Sequence, residues 1–285
     1  DLLQMDGTPY QWFLWAGDKD YYCISSAVDD ATSKATGMYM TKNECLYGYL
    51  AVMRQTIEKH GIFREAYTDR AAIFCVTPKN KKNLTIIEQL QGIHENRTQW
   101  QRILSDLNIR QILAWSPQAK GRIERFNQTI QNQLPALFKK YKIDTIEKAN
   151  DFLQNVYIDL YNRMYSVKPA SNFNFFVPNT HNLKDVLVCR IPKKTSASAT
   201  FKFHGYQFTL NSPAPCNRHF DLCITENKIY AQLVDVVNGK RVLLNQYYPV
   251  TLCDPITYGR GESMPDVVRK IIYDFLLADA KTVAA

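Results

Sequence analysis

No run of eighteen apolar residues occurs anywhere in these 285 residues, so no membrane-spanning helix is expected. The first residues, DLLQMDG, lack both an initiating Met and the charged-then-apolar pattern of a secretory signal. They run straight into an apolar segment, and the expectation is a fragment whose upstream region has been removed. No internal repeat and no low-complexity tract is visible. The seven cysteines are odd in number and form no CxxC pair, which fits a reducing compartment and free, mostly buried thiols. Cys216, His219 and Cys223 lie close in sequence, but a fourth zinc ligand is missing and the spacing fits no finger, so thiols inside a β-domain are expected. Acidic residues nearly vanish over 168–218, where Asp185 stands against seven Lys and Arg. Residues 1–165 carry 21 basic against 18 acidic residues and 219–285 carry seven against eight, so the net charge of +8 is concentrated in mid-chain. Such a belt suits contact with a polyanion; a solvated, lysine-rich linker would look the same.

What is present is a globular composition: 46% apolar, with 17 Tyr and 14 Phe to fill a sizeable core. A β-type opening around Leu2–Asp6 precedes two β-runs, 20–28 and 35–40, joined by DDATSK, a turn rich in Asp, Thr and Ser. Residues 43–59 read as a helix, with Asn43 as N-cap, Leu46, Leu50, Met53 and Ile57 at helical spacing, and Gly61 closing it. EAYTD, 65–69, is a short strand ending on an acid. PKNKKN, 78–83, is a basic loop; helical segments around Ile86–Leu90 and Trp100–Leu107 lead to a strand over 109–115. A long helix over 121–140 carries Ile123, Phe126, Ile130, Leu134 and Leu137 on one stripe, and Pro135 is expected to kink or break it. A further helix spans about 145–163. After Tyr165 the helical period stops, and 166–198, rich in Pro, Asn, Lys and Ser, reads as a linker. Residues 199–253 show β-runs separated by HG, EN and NG turns, which suit a small antiparallel barrel, and Met264–Ala278 reads as a helix.

Three strands and a helix, then alternating strands and helices, describe an α/β domain: a mixed sheet flanked by helices. Three acids occupy telling places in that frame. Asp6 is on the first strand, Asp69 ends the fourth, and Glu124 lies one turn into the long helix after the fifth. Carboxylates so placed can converge above the sheet, and hard oxygen ligands suit magnesium or manganese. Two such ions, about 3.5–4 Å apart, clamp the attacking and leaving oxygens of a phosphodiester. Taken singly, each acid is more readily a turn or capping residue than a catalytic one. Asp29 and Asp30 also end a strand, but DDATS reads as an Asx-type turn, with Asp30 the reserve metal ligand. Lys120, Gln128 and Gln131 fall at −4, +4 and +7 from Glu124 and share its face, with Arg122 beside them; all four are candidate donors to DNA.

The blocks QMDGTPYQWF, SSAVDDATSKATG, YTDRAAIF and WSPQAKGRIERFNQT resemble integrase-core (DDE) transposases of bacterial insertion sequences, in particular the ISNCY-type group, relatives of retroviral integrases. The resemblance covers about residues 1–165 in the correct order, and SPQAKGRIERFNQ is its most specific block. It implies an RNase H-like fold, a five-stranded mixed sheet with helices on both sides. It makes Asp6, Asp69 and Glu124 the catalytic acids and the ligands of two Mg²⁺ ions, for which Mn²⁺ substitutes. The implied reaction is cleavage at element ends by metal-activated water, then direct joining of the 3′-hydroxyl to target DNA. The implied partners are DNA and further copies of the chain, a dimer or larger, with no membrane, in the bacterial cytoplasm at the nucleoid. The upstream region of the family is usually a helix-turn-helix.

One departure stands out: Asp69 and Glu124 are 55 positions apart, more than in most integrases. The excess lies about 78–98, where Lys79, Lys81 and Lys82 are expected to touch DNA or a partner subunit. The expected plan is a catalytic domain over 1–165, a basic linker over 166–198, an SH3-like β-barrel over 199–256 and a helical tail over 257–285. Arg190, Lys193 and Lys194 of the linker are expected to contact phosphates. Two rival readings remain beside this one: a nuclease of the same fold without strand transfer, and a domesticated DNA-binding protein with a dead site.

Overall fold

A computed structural model of the chain describes residues 1–76, 97–114, 121–210, 215–225, 228–237 and 240–254. They fall into two compact units, residues 1–187 and 188–254. The helix expected around Ile86–Leu90, the basic loop with Lys79, Lys81 and Lys82, Lys120, and the C-terminal helix lie outside the described residues.

The first unit is built on strands β1 (Leu2–Tyr10), β2 (Tyr22–Asp29), β3 (Ala35–Thr41), β4 (Glu65–Thr68) and β5 (Arg110–Leu113), in the order β3-β2-β1-β4-β5. β1, β2 and β3 pair antiparallel, joined by the longer segment 11–21 and by the short turn 30–34, whereas β4 and β5 run parallel to β1. Parallel neighbours need a crossover, and helix α1 (Leu46–His60) supplies the one into β4. Side chains alternate along each strand, so the sheet has two cores. Leu3, Met5 and Ala66 face α1 and α2 (Gln99–Asp106), while Ile24, Val28, Met38 and Met40 face the later helices. α1 sits down hard on β3 at Gly37, where a Cβ would lie 2.7 Å from the Val52 carbonyl oxygen. Its N-cap is Cys45, without a side-chain bond, rather than Asn43. The Asn43 carbonyl instead accepts from Thr41 Oγ1 at 2.7 Å, which holds that residue in the preceding turn. Gly61, at φ 98°, closes α1 as the sequence leads one to expect.

The second face is covered by α3 (Gly121–Tyr141), α4 (Ile146–Phe152) and α5 (Ile158–Tyr165), the last two joined by a π-helical turn at Leu153–Tyr157. α3 buries Ile123, Phe126, Ile130, Leu134 and Phe138, so Phe138 and not Leu137 ends the stripe. Pro135 does not break it. An interior proline costs about 3 kcal/mol. Burying the Leu134 and Phe138 side chains that flank it, at about 1.5–3 kcal/mol each, offsets that cost. No helix among the described residues is long and apolar enough to cross a membrane.

The second unit is one antiparallel sheet of β6 (Cys189–Lys194), β7 (Thr200–Phe203), β8 (Tyr206–Leu210), β9 (His219–Ile224), β10 (Ile229–Val237) and β11 (Lys240–Asp254). Its order is β6-β9-β10-β11-β8-β7. The linker expected over 166–198 therefore ends early, because β6 pairs with β9 along its whole length. Pro192 lacks the N–H an inner strand would need, and it is tolerated because β6 is an edge. The HG turn forms as expected: His204 and Gly205, at φ 47° and 84°, make a two-residue hairpin between β7 and β8. The EN and NG turns lie outside the described residues.

β6 and β7 stand at opposite edges yet follow one another in the chain. A tight turn joins them, closed by the Ser196 N–H donating to the Thr200 carbonyl at 2.8 Å. Flat, the edges of six strands would stand about 24 Å apart. The sheet must therefore curl, and Lys193 Nζ reaches across to the Lys202 carbonyl at 3.1 Å. No ladder joins β6 to β7 among the described residues, so a seam remains between them.

Candidate active site

Gln4, Asp6 and Thr8 share the face of β1 that meets α3. Three hydrogen bonds tie them to the helix. The Ile123 N–H donates to Gln4 Oε1 at 3.1 Å, Asn127 Nδ2 to Asp6 Oδ2 at 2.9 Å, and Gln131 Nε2 to Thr8 Oγ1 at 2.6 Å. The spacing is physical. Four helical residues rise about 6 Å and two strand residues about 6.6 Å, so the rungs match only if the helix runs along β1.

Asp69 follows β4 directly. The β1–β4 register pairs Gln4 with Tyr67, and carrying it two residues onward sets Asp6 abreast of Asp69 on one face. The Asp69 carboxylate accepts from the Ala71 N–H at 2.8 Å, which fixes the turn it stands in. Glu124 is exposed, beside the first rung and one turn from Asn127, the residue that holds Asp6. No three His, Cys, Asp or Glu side chains among the described residues are grouped to hold a metal ion. Extending the β1–β4 register thus sets Asp6 beside Asp69, and the helix of Glu124 is tied to Asp6, without a closed triad.

Among the described residues, two buried polar atoms beside Asp6 lack a hydrogen-bond partner: Asn127 Oδ1 and the hydroxyl of Ser26, the β2 residue that pairs with Asp6. Buried polar atoms are almost always partnered, so this corner suits a polar guest. On the opposite face Cys23 is kept a neutral thiol, its pKa raised first by burial and then by the charges of Glu44 and Asp6. It is a packing residue and not a nucleophile.

Several residues expected to bind DNA or metal are engaged elsewhere. Asp30, the reserve ligand, accepts from Gln4 Nε2 at 2.8 Å and pairs with Arg122 at 3.2 Å. Arg122 also donates to Ser33 Oγ at 2.8 Å, so it staples α3 to the β2–β3 turn. Gln131 is spent on Thr8. Asp29 is the Asx residue foreseen, accepting from the Thr32 N–H at 2.9 Å. Gln128 is exposed on the Glu124 side, as expected. Arg190 is turned inward, its side chain 13% exposed, donating to Gln232 Oε1 at 2.7 Å with buried Asp221 at 4.0 Å. A phosphate ligand there would have to displace that pairing. Lys193 lies over the Phe203 ring, and Lys194 is exposed. Asn127, Gln4 and Ser26 were missed by sequence reasoning; the alternation Gln4, Asp6, Thr8 was the available signal.

Arg190→Ala should therefore act on folding. It removes the donor to the buried Gln232 oxygen and the cation nearest the buried Asp221 carboxylate, a loss of about 2 kcal/mol. Urea unfolding of the variant checks this; unchanged stability with weakened DNA binding would return Arg190 to the surface role.

The five-stranded mixed sheet thus carries one acid within β1, a second directly after the adjacent parallel strand β4, and a third on the helix packed against β1. The chain is 31% identical over 194 residues to the transposase for insertion sequence IS1202 of Streptococcus pneumoniae, covering 68% of this chain and 39% of that protein. It is 30% identical over 213 residues to y4bF of Sinorhizobium fredii, which carries a transposase name, covering 74% of this chain and 44% of that one. By sequence the chain is a relative of insertion-sequence transposases, and it spans less than half the length of either. No protein-family model matches. Among solved structures, the HTLV-2 integrase catalytic core in complex with magnesium aligns at TM-score 0.37 and 18% identity, over 53% of this chain and 79% of that one. A simian T-cell lymphotropic virus intasome chain aligns at 0.39 and 14%, over 87% and 75%.

Proposed function

We propose that the chain is the catalytic and C-terminal part of a DNA transposase that cuts the ends of an insertion sequence and joins the 3′-hydroxyl to target DNA. The observation that carries this is the parallel β1–β4 register, which, extended two residues past Gln4 and Tyr67, sets Asp6 abreast of Asp69, with the helix of Glu124 laddered onto Asp6 itself. Carboxylates abreast repel, and a divalent cation is the counter-charge that favours both ionised forms. The donor set is all hard oxygen, so it fits Mg²⁺ or Mn²⁺, with Asp6, Asp69 and Glu124 as the holding residues. Such ions, two by the family's pattern, supply Lewis acidity at a phosphodiester and a reactive water or hydroxyl. The chain's own part is orientation: Asn127 holds one oxygen of Asp6, and the Ala71 amide holds one of Asp69.

DNA would be gripped through its backbone. At the seam of the second unit, Lys194, Ser196, Thr200, Lys202, Gln207 and Asn217 line an open cavity of about 420 Å³ with no acid among them. Lys79, Lys81, Lys82 and Lys120 would add charge, and Gln128 a neutral donor beside Glu124. Changing Lys194 and Lys202 to Ala should weaken binding to every sequence alike and flatten the log–log salt dependence by about 2. Loss confined to one sequence would favour base readout. Because two element ends must be held at once, the working form is an oligomer.

The test is to incubate the full-length protein with labelled element ends, Mg²⁺ and target plasmid. Joined product is expected. Cut ends without joining would favour the nuclease reading, and binding without either would favour the DNA-binding one.

A further inference from the structure

We infer that Gln4, acting with Asp30 and Arg122, is a positioning residue that sets where Glu124 stands relative to Asp6; this rests on the proposed role of Glu124. Gln4 is 5% exposed and uses both ends of its amide. Oε1 accepts from the Ile123 N–H at 3.1 Å, and Nε2 donates to Asp30 Oδ1 at 2.8 Å. Arg122 Nε lies 3.2 Å from that same Oδ1, and its Nη1 donates to Ser33 Oγ at 2.8 Å. The first four N–H groups of a helix have no partner within it, and Ile123 is the third residue of α3. Its donor is therefore satisfied from β1, across 119 positions.

The consequence is local. Residues 122 and 123, which immediately precede Glu124, are tied to β1 and to the β2–β3 turn. Asn127, three residues on, is tied to Asp6. Glu124 thus sits between two ties that leave one central strand two residues apart. The turn that receives Arg122 is itself held by Asp29, which accepts from the Thr32 N–H at 2.9 Å, so the anchor is not a loose loop. Of the side chains of this size, only an amide accepts from the helix and donates to a carboxylate at once. Glu at position 4 would keep the acceptor but set a second carboxylate against Asp30. Met would fill the space and serve neither partner.

The experiment uses Gln4→Met and Gln4→Glu in the full-length protein. Hydrogen exchange over 121–126 should rise about tenfold in Gln4→Met, the factor one lost hydrogen bond is worth, and less in Gln4→Glu. Exchange over 130–138 should stay unchanged in both. The Mg²⁺ concentration for half-maximal joining should rise about tenfold in Gln4→Met, with Mn²⁺ restoring part of the loss. Mn²⁺ alone, followed by electron paramagnetic resonance, should bind this variant several-fold more weakly than the parent. A merely structural glutamine would raise exchange evenly along the chain and leave both metal dependences where they were; that result overturns the inference. If the parent neither cuts nor joins DNA, the transposase reading fails. The exchange and Mn²⁺ measurements then still decide the role of Gln4.

Discussion

Glu124→Gln is expected to lower cutting and joining in Mg²⁺ by at least about a thousandfold, roughly 4 kcal/mol of barrier. The substitution keeps shape and removes the charge that a hard cation requires. It should leave the fold intact, because Glu124 is exposed and the buried stripe of α3 runs through Ile123 and Phe126 instead. An acid in the first helical turn contributes about 0.3–1 kcal/mol through the helix dipole, so only a small drop in melting temperature is expected. DNA affinity should hold or rise slightly with one negative charge fewer. Near-parental joining by this variant would remove Glu124 from the reaction.

Trp100→Ala is expected to produce the largest loss of stability, about 3–5 kcal/mol of a domain stability of roughly 5–15 kcal/mol. Trp100 is fully buried on α2, with the rings of Phe74 and Tyr49 at 5.2 and 6.0 Å in edge-on contact. It fills the core between α1, α2 and the face of β1 and β4. Its indole N–H has no hydrogen-bond partner among the described residues, and that burial already costs free energy. Trp100→Phe should therefore be much milder than its lost volume suggests, within about 1.5 kcal/mol of the parent. Urea midpoints with unchanged slopes would measure both. An alanine variant within about 1 kcal/mol of the parent would show that the cluster is not the keystone of this core.

The parts of the molecule that were legible are those set by short-range patterning. β2, β3, α1 and α3 follow from alternation, helical spacing and one turn, and each appears within a few residues of its expected bounds. Asp6 falls within β1 and Asp69 directly after β4, as their motif blocks lead one to expect. What sequence could not reveal was partner choice at long range. Arg190 looks like its neighbours Lys193 and Lys194 until β9 and β10 bring Asp221 and Gln232 beneath it. Gln131 shares a helix face with Glu124, but which strand lies under that face is decided by the sheet order, which hands it Thr8. β6 was hidden because Pro192 and two lysines give VLVCRIPKK the look of a linker.

The placing of β6 has a kinetic side. During synthesis its residues leave the ribosome well before its partner β9, while the β7–β8 hairpin can zip locally in the interval. Closing the gap between residues 194 and 219 is a non-local step, the kind that slows folding. Through that wait an unpaired strand is offered to any neighbouring nascent copy, in a protein whose proposed work requires copies to gather. Pro192 removes one donor from that waiting strand, so the residue that disguised β6 as a linker also makes it a poor template for the wrong partner.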